Sequence, residues 1–198
     1  MEKINVAILA SGSGTNAENI VNYFKDHPHI RIKSIWSNKK DAFVLKRAKK
    51  LNLPAHTFSG NEMENGQLLE SLSVQSIHYL VLAGFLLKIP DHLTQAFPDR
   101  IINIHPALLP RYGGKGMYGD HVHESVLRQK DSQSGITIHL VNENYDEGRI
   151  LFQAMCEVRS DDTVRSLANR IHELEYTYYP KIIEDYILDN QAQISKNR

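Results

Sequence analysis

Residues 4–17 read Ile4-Asn5-Val6-Ala7-Ile8-Leu9-Ala10-Ser11-Gly12-Ser13-Gly14-Thr15-Asn16-Ala17. An apolar, strand-forming run over 4–10 breaks at two glycines, and a helical pattern follows over 17–25. Glycine lets the backbone turn sharply and approach a ligand closely. The start of the next helix supplies unpaired N–H groups and the positive end of a dipole. Such a turn is an anion site, and phosphate is its usual guest. Gly12, Gly14 and Ala17 also satisfy the dinucleotide fingerprint G-x-G-x-x-A. A bound NAD wants an acid after the second strand, which here ends Trp36-Ser37-Asn38-Lys39-Lys40. The lysines keep NADP arguable, but a mononucleotide phosphate is the favoured guest.

The alternation continues beyond this turn. Further strands are expected at 32–36, 79–83, 101–104, 136–141 and 151–158. Helices are expected at 42–51, with Asp41 as N-cap, and at 68–72, 92–97 and 122–129. A long amphipathic helix is expected from 163 to 178, with Pro180 kinking or interrupting it before 182–188. Strand alternating with helix predicts an α/β fold: one domain, a mostly parallel twisted sheet with helices on both faces, Rossmann-like, and a long C-terminal helix. Tyr79-Leu80-Val81-Leu82-Ala83 suits a central strand covered on both sides. Residues 1–188 are read as the catalytic domain and 189–198 as a polar, frayed tail.

The chain has 198 residues with 23 basic and 23 acidic side chains, so it carries no net charge. That removes any global attraction to nucleic acid or an anionic membrane. The one cysteine, Cys156, excludes an internal disulfide and a multi-cysteine zinc site, and it reads as a buried strand thiol. No apolar run approaches the roughly 20 residues of a membrane span, and a reducing cytoplasm is expected.

Ile101-Ile102-Asn103-Ile104-His105-Pro106-Ala107-Leu108-Leu109-Pro110 carries the chemistry. Asn103 and His105 are two apart, so strand alternation puts them on one face. Pro106, lacking an N–H, ends the pairing. An amide and an imidazole thus stand together at the carboxyl end of a strand, the ligand-binding edge of an open parallel sheet. A neutral donor beside a proton-switching one suits an oxyanion whose protons are being rearranged.

These segments together resemble phosphoribosylglycinamide formyltransferases, the folate-dependent enzymes of purine synthesis. The resemblance covers nearly the whole chain. It rests on Ser11-Gly12-Ser13-Gly14-Thr15-Asn16, Leu82-Ala83-Gly84-Phe85 and the 103–110 segment. It continues through Gly135-Ile136-Thr137-Ile138-His139 and Asp146-Glu147-Gly148 to Glu175 and Tyr179-Pro180. The resemblance implies that Gly12, Ser13, Gly14, Thr15 and Asn16 hold the ribonucleotide phosphate. It implies that Glu175 reaches the ribose or glycinamide part. It makes Asn103, His105 and Asp146 the catalytic group. Leu86, Leu87, Lys88 and Ile89, with Val141, Asn142, Asp146 and Asn103, would line the folate pocket. The implied co-substrate is 10-formyltetrahydrofolate, with no metal. The partners are small molecules, without nucleic acid or membrane, and the chain acts as a monomer or a homodimer. The relatives nearest in chemistry are formyltetrahydrofolate deformylases, which use water in place of the amine and usually carry an extra N-terminal domain. Methionyl-tRNA formyltransferases usually add a basic C-terminal domain. A nicotinamide oxidoreductase is the alternative of another class.

On sequence alone Asp146 sits in a polar turn, where a turn-forming Asp is common; only the resemblance separates it from Glu143 and Glu147. His139 fits either a satisfied strand histidine or a site residue. In the proposed chemistry, cationic His105 and the Asn103 amide donate to the oxyanion while Asp146 raises the pKa of His105. Two departures from the family pattern stand out. Gly113, Gly114, Gly116 and Gly119 make the loop after Tyr112 glycine-rich, and it is read as a lid. The stretch 58–67 has no arginine where some relatives use one for a substrate contact.

Overall fold

The computed structural model describes residues 3–196. In chain order the elements are β1 (Ile4–Leu9), α1 (Thr15–Tyr23), β2 (Ile30–Ser37), α2 (Phe43–Lys50), β3 (Ala55–Thr57), α3 (Gly60–Glu64) and α4 (Gln67–Val74). There follow β4 (Tyr79–Leu82), α5 (Asp91–Ala96), β5 (Ile101–His105), α6 (Asp120–Arg128), β6 (Gln133–Leu140), β7 (Ile150–Glu157) and α7 (Val164–Lys196). The strands form one sheet in the order β3-β2-β1-β4-β5-β6-β7. The first five are parallel. β6 runs antiparallel to β5, and β7 antiparallel to β6.

Strand alternation builds two cores, one on each face. Val6 and Ile8 pack with Ile20 of α1, Val44 of α2 and Ile171 and Ile183 of α7. Ala7 and Leu9 pack with Leu68 and Leu72 of α4 and Leu93 of α5. A one-residue slip of β1 would exchange these two sets, so burial on both faces pins its register. After β3 the chain returns to place β4 on the other side of β1. That reversal opens a crevice outside the carboxyl ends of β1 and β4, the ligand site of this architecture. The glycine turn, residues 83–89 and the Asn103–His105 strand end all lie at that edge.

Several expectations are corrected. α7 is uninterrupted, although Pro180 lies inside it. Proline removes the N–H that would bond the carbonyl four residues back, at Tyr176. The Asn19 side chain of α1 donates to that carbonyl at 2.9 Å. The expected frayed tail is helical as far as residue 196, and Asn190 donates to the Tyr79 hydroxyl at 2.9 Å; residues 197–198 lie outside the described ones. α2 is capped by Ala42, without a side-chain bond, and not by Asp41. β3 and α3 were not expected. Yet α3 starts with a capping box, Ser59 and Glu62, whose S-x-x-E spacing is in the sequence. β3 is three residues with no buried side chain, too short for periodicity to register.

Candidate active site

The glycine turn is locked from below. Gly14 has φ of 75°, and a Cβ there would lie 2.3 Å from Val44 Cγ2, so the position admits only glycine. Gly14 also caps α1 without a side chain, leaving first-turn N–H groups for a ligand. Arg47 of α2 donates to the Ser13 carbonyl at 2.9 Å and pairs with Glu18. Ser11 joins this turn to the next one. Its N–H donates to the Gly84 carbonyl at 3.0 Å, its hydroxyl donates to Asn38 at 2.7 Å, and the same hydroxyl accepts the Leu86 N–H at 3.0 Å.

Asn103, His105 and Asp146 converge with a fourth group, His139. In the β5–β6 register, Asn103 lies opposite His139 and His105 opposite Thr137. The Asn103 amide nitrogen is 3.1 Å from His139 Nε2. His139 Nδ1 lies 2.8 Å from the Leu140 carbonyl, which can only accept, so Nδ1 carries the proton. In the neutral ring, Nε2 then accepts from Asn103 and fixes which way the amide faces. His105 Nε2 likewise donates to the Tyr112 carbonyl at 2.7 Å. His105 Nδ1 is therefore the nitrogen left for chemistry, and it lies 3.6 Å from Asp146 Oδ2. Asp146 Oδ1 lies 3.6 Å from His139 Nε2, and Oδ2 accepts the Gly114 N–H at 2.9 Å. The turn after His105 is held by Thr137, whose buried hydroxyl donates to Ala107 and accepts from Leu109.

The charge states correct one expectation. Burial pushes the His105 imidazole below its ordinary value, and the Asp146 carboxylate and Tyr112 carbonyl, pulling upward, do not overcome it. The resting ring is depressed rather than raised. Burial alone would raise the Asp146 carboxyl, but His139, His105 and the Gly114 N–H hold it below the usual range. Asp146 is thus a carboxylate near neutrality.

The glycine turn, Asn103, His105, His139 and Asp146 line one cleft of about 610 Å³. Gly12, Ser13, Gly14, Thr15, Asn16 and Glu175 lie in its wall. So do Leu86, Leu87, Lys88 and Ile89, together with Val141 and Asn142 and the catalytic candidates Asn103, His105 and Asp146. Phe85, residues 114–119, His123, His139, Asn144, Tyr145 and His172 complete much of the lining.

The family model described as formyl transferase matches residues 4–183. The chain belongs to the formyl transferase family. A chloroplastic phosphoribosylglycinamide formyltransferase of Arabidopsis thaliana is 39% identical over 185 residues, 90% of this chain and 63% of that protein. The enzyme of the same name from Haemophilus influenzae is 37% identical, covering 90% of this chain and 85% of its own. The crystal structure of phosphoribosylglycinamide formyltransferase from Streptococcus pneumoniae superposes with a TM-score of 0.83 at 33% identity, over 94% of this chain and 99% of that one. This chain therefore spans less than two thirds of the Arabidopsis relative, and most of the two bacterial ones.

In this member of the formyl transferase family, Glu175 is buried and accepts from the Asn16 amide at 2.8 Å, which joins α7 to the glycine turn. Burial raises its carboxyl, against the pull of Asn16 and His172. Sequence reasoning left His139 open and gave His123 and His172 no role, although all three face the cleft. His139 had a signal: an imidazole on a strand able to pair beside Asn103. His123 had only its place just after the glycine-rich loop, and His172 only its place three residues before Glu175 on the same helix.

Proposed function

We propose that this chain transfers the formyl group of 10-formyltetrahydrofolate to the amine of glycinamide ribonucleotide, giving formylglycinamide ribonucleotide and tetrahydrofolate. The observation that carries the reading is the convergence of the Asn103 amide, the His105 Nδ1 and the Asp146 carboxylate between a glycine turn built for phosphate and a more apolar wall. The names of its relatives agree. In this reading residues 12–16 hold the phosphate, and Glu175 faces the ribosyl-glycinamide part. Residues 86–89, with Val141 and Asn142, line the folate side.

The amine attacks the formyl carbon and forms a tetrahedral centre bearing an oxyanion. The Asn103 amide donates to that oxygen. His105 starts neutral, so its bare Nδ1 takes the proton that the attacking nitrogen gives up. The resulting cation is stabilised by the Asp146 carboxylate and by the oxyanion. The same proton then passes to N10, the bond from carbon to N10 breaks, and the formamide remains. Every proton lost by the amine is gained by the leaving nitrogen.

The test is an absorbance assay of folate release with and without glycinamide ribonucleotide. Amine-dependent release is expected. Equal release without the amine would assign hydrolysis and overturn the transfer reading.

A further inference from the structure

Among the described residues, four buried side-chain polar atoms lack a hydrogen-bond partner: Asn16 Oδ1, His92 Nε2, His123 Nδ1 and Ser134 Oγ. Two of the four, Asn16 and His123, belong to the wall of the cleft. His123 is only 3% exposed, so its ring is no solvated surface group. The large majority of buried polar atoms are paired, so an unpaired one on a residue of the cleft wall calls for a partner, and a ligand in the cleft is one that could supply it.

His123 projects from α6, whose Val122 and Val126 anchor it in the core. The charges that act on its ring are Asp120, His172 and His105. His172 precedes Glu175 by three residues on α7, so the two share a helix face. Glu175 in turn holds Asn16. The ring therefore shares one cleft wall with the phosphate turn, its Asn16–Glu175 pair, His172 and His105. None of its charged neighbours comes from the folate side at residues 86–89.

Burial lowers the imidazole to about 4, so it is neutral at physiological pH. A neutral imidazole offers one N–H and one lone pair. That pair of functions suits hydroxyl and amide groups, and it distinguishes His123 from a counter-ion to the phosphate.

We propose, resting on the transferase reading above, that His123 is a further binding residue of the acceptor site, hydrogen-bonding the ribosyl-glycinamide stretch between the phosphate and the reacting amine. Asn16 Oδ1 is the second unmet group on that stretch, an acceptor that a ribosyl hydroxyl would satisfy.

The experiment compares the wild-type chain with His123→Leu and His123→Asn. It uses calorimetric titration of glycinamide ribonucleotide, KM for both substrates, and thermal melting. His123→Leu is expected to weaken the nucleotide about tenfold, the scale of one buried hydrogen bond, and to leave KM for the folate donor in place. His123→Asn, which keeps a polar group, recovers part of the loss. Wild-type nucleotide affinity in His123→Leu overturns the proposal. So does a parallel loss for both substrates in His123→Asn, which would mark a structural role. A wild-type chain that binds the nucleotide without transferring formyl refutes the transferase reading, and the nucleotide titration of His123→Leu then decides the binding role by itself.

Discussion

At the scale of single residues, the proposed transfer depends on one nitrogen. His105 Nε2 is committed to the Tyr112 carbonyl, so Nδ1 alone can exchange a proton at the reacting centre. Asp146 is the anion that favours a proton on it. Replacing Asp146 with Asn removes that charge while keeping the size of the side chain. The His105 titration midpoint, followed by ring-proton NMR, should move further below its already depressed position, since an anion that favours the cation is gone. Turnover should fall on the order of 100–1000-fold, as for loss of one group stabilising the transition state, with the fold retained. An unmoved His105 midpoint would separate the two side chains electrostatically. Asn103 and His105 were legible in sequence because strand alternation and a following proline leave few other arrangements. Asp146 was not legible on its own. It adopts a positive φ of 56° in the 141–149 connection, and its neighbours Glu143 and Glu147 carry the same charge. Before folding only the family resemblance selected it; the folded path of that loop brings its carboxylate to His105 and His139.

At the scale of elements, pattern revealed the long elements and missed the contacts that complete them. The α7 pattern is readable on both sides of Pro180, and a proline inside a helix argues for a break. The carbonyl that proline leaves unpaired, at Tyr176, is taken up by Asn19 of another helix, 157 positions away in the chain. Substituting Asn19 with Ala should leave the Tyr176 carbonyl to water and lower stability by about 1 kcal/mol, the net worth of one hydrogen bond. A urea-melt difference of zero would mean that solvent already serves that carbonyl. The glycine-rich loop is the other element whose role depends on its neighbours. Gly114, Gly116 and Gly119 all have positive φ, and residues 114–119 line the cleft. The Gly114 N–H holds Asp146. Removing Lys115–Tyr118 strips cleft wall while keeping Gly114, so KM for the substrates should rise. Unchanged kinetics in that deletion would rule out a lid.

At the scale of the whole molecule, the site imposes an acid limit on folding. His105 and His123 are both held below the ordinary histidine range, chiefly by burial. The unfolded chain takes up protons on these rings below about pH 6.5, whereas the folded chain resists. The unfolded state then binds more protons, so stability falls as the pH falls. For His123, lowered to about 4, the loss accumulates between pH 6.5 and about 4 and reaches about 3 kcal/mol at most. Glu175 works in the opposite sense: its raised carboxyl binds a proton more readily folded than unfolded, so acidification through that range favours the fold. Asp146, Asp162 and Glu184, all depressed, lose their contribution only at lower pH, as their folded forms protonate. Urea melts at pH 7, 6, 5 and 4.5 on the wild type and His123→Gln separate these effects, since the two proteins share every group but one. The wild type should lose more stability over this range than the variant, because Gln has no proton to refuse. Parallel curves would show that the His123 ring titrates in the folded protein as it does in the unfolded chain.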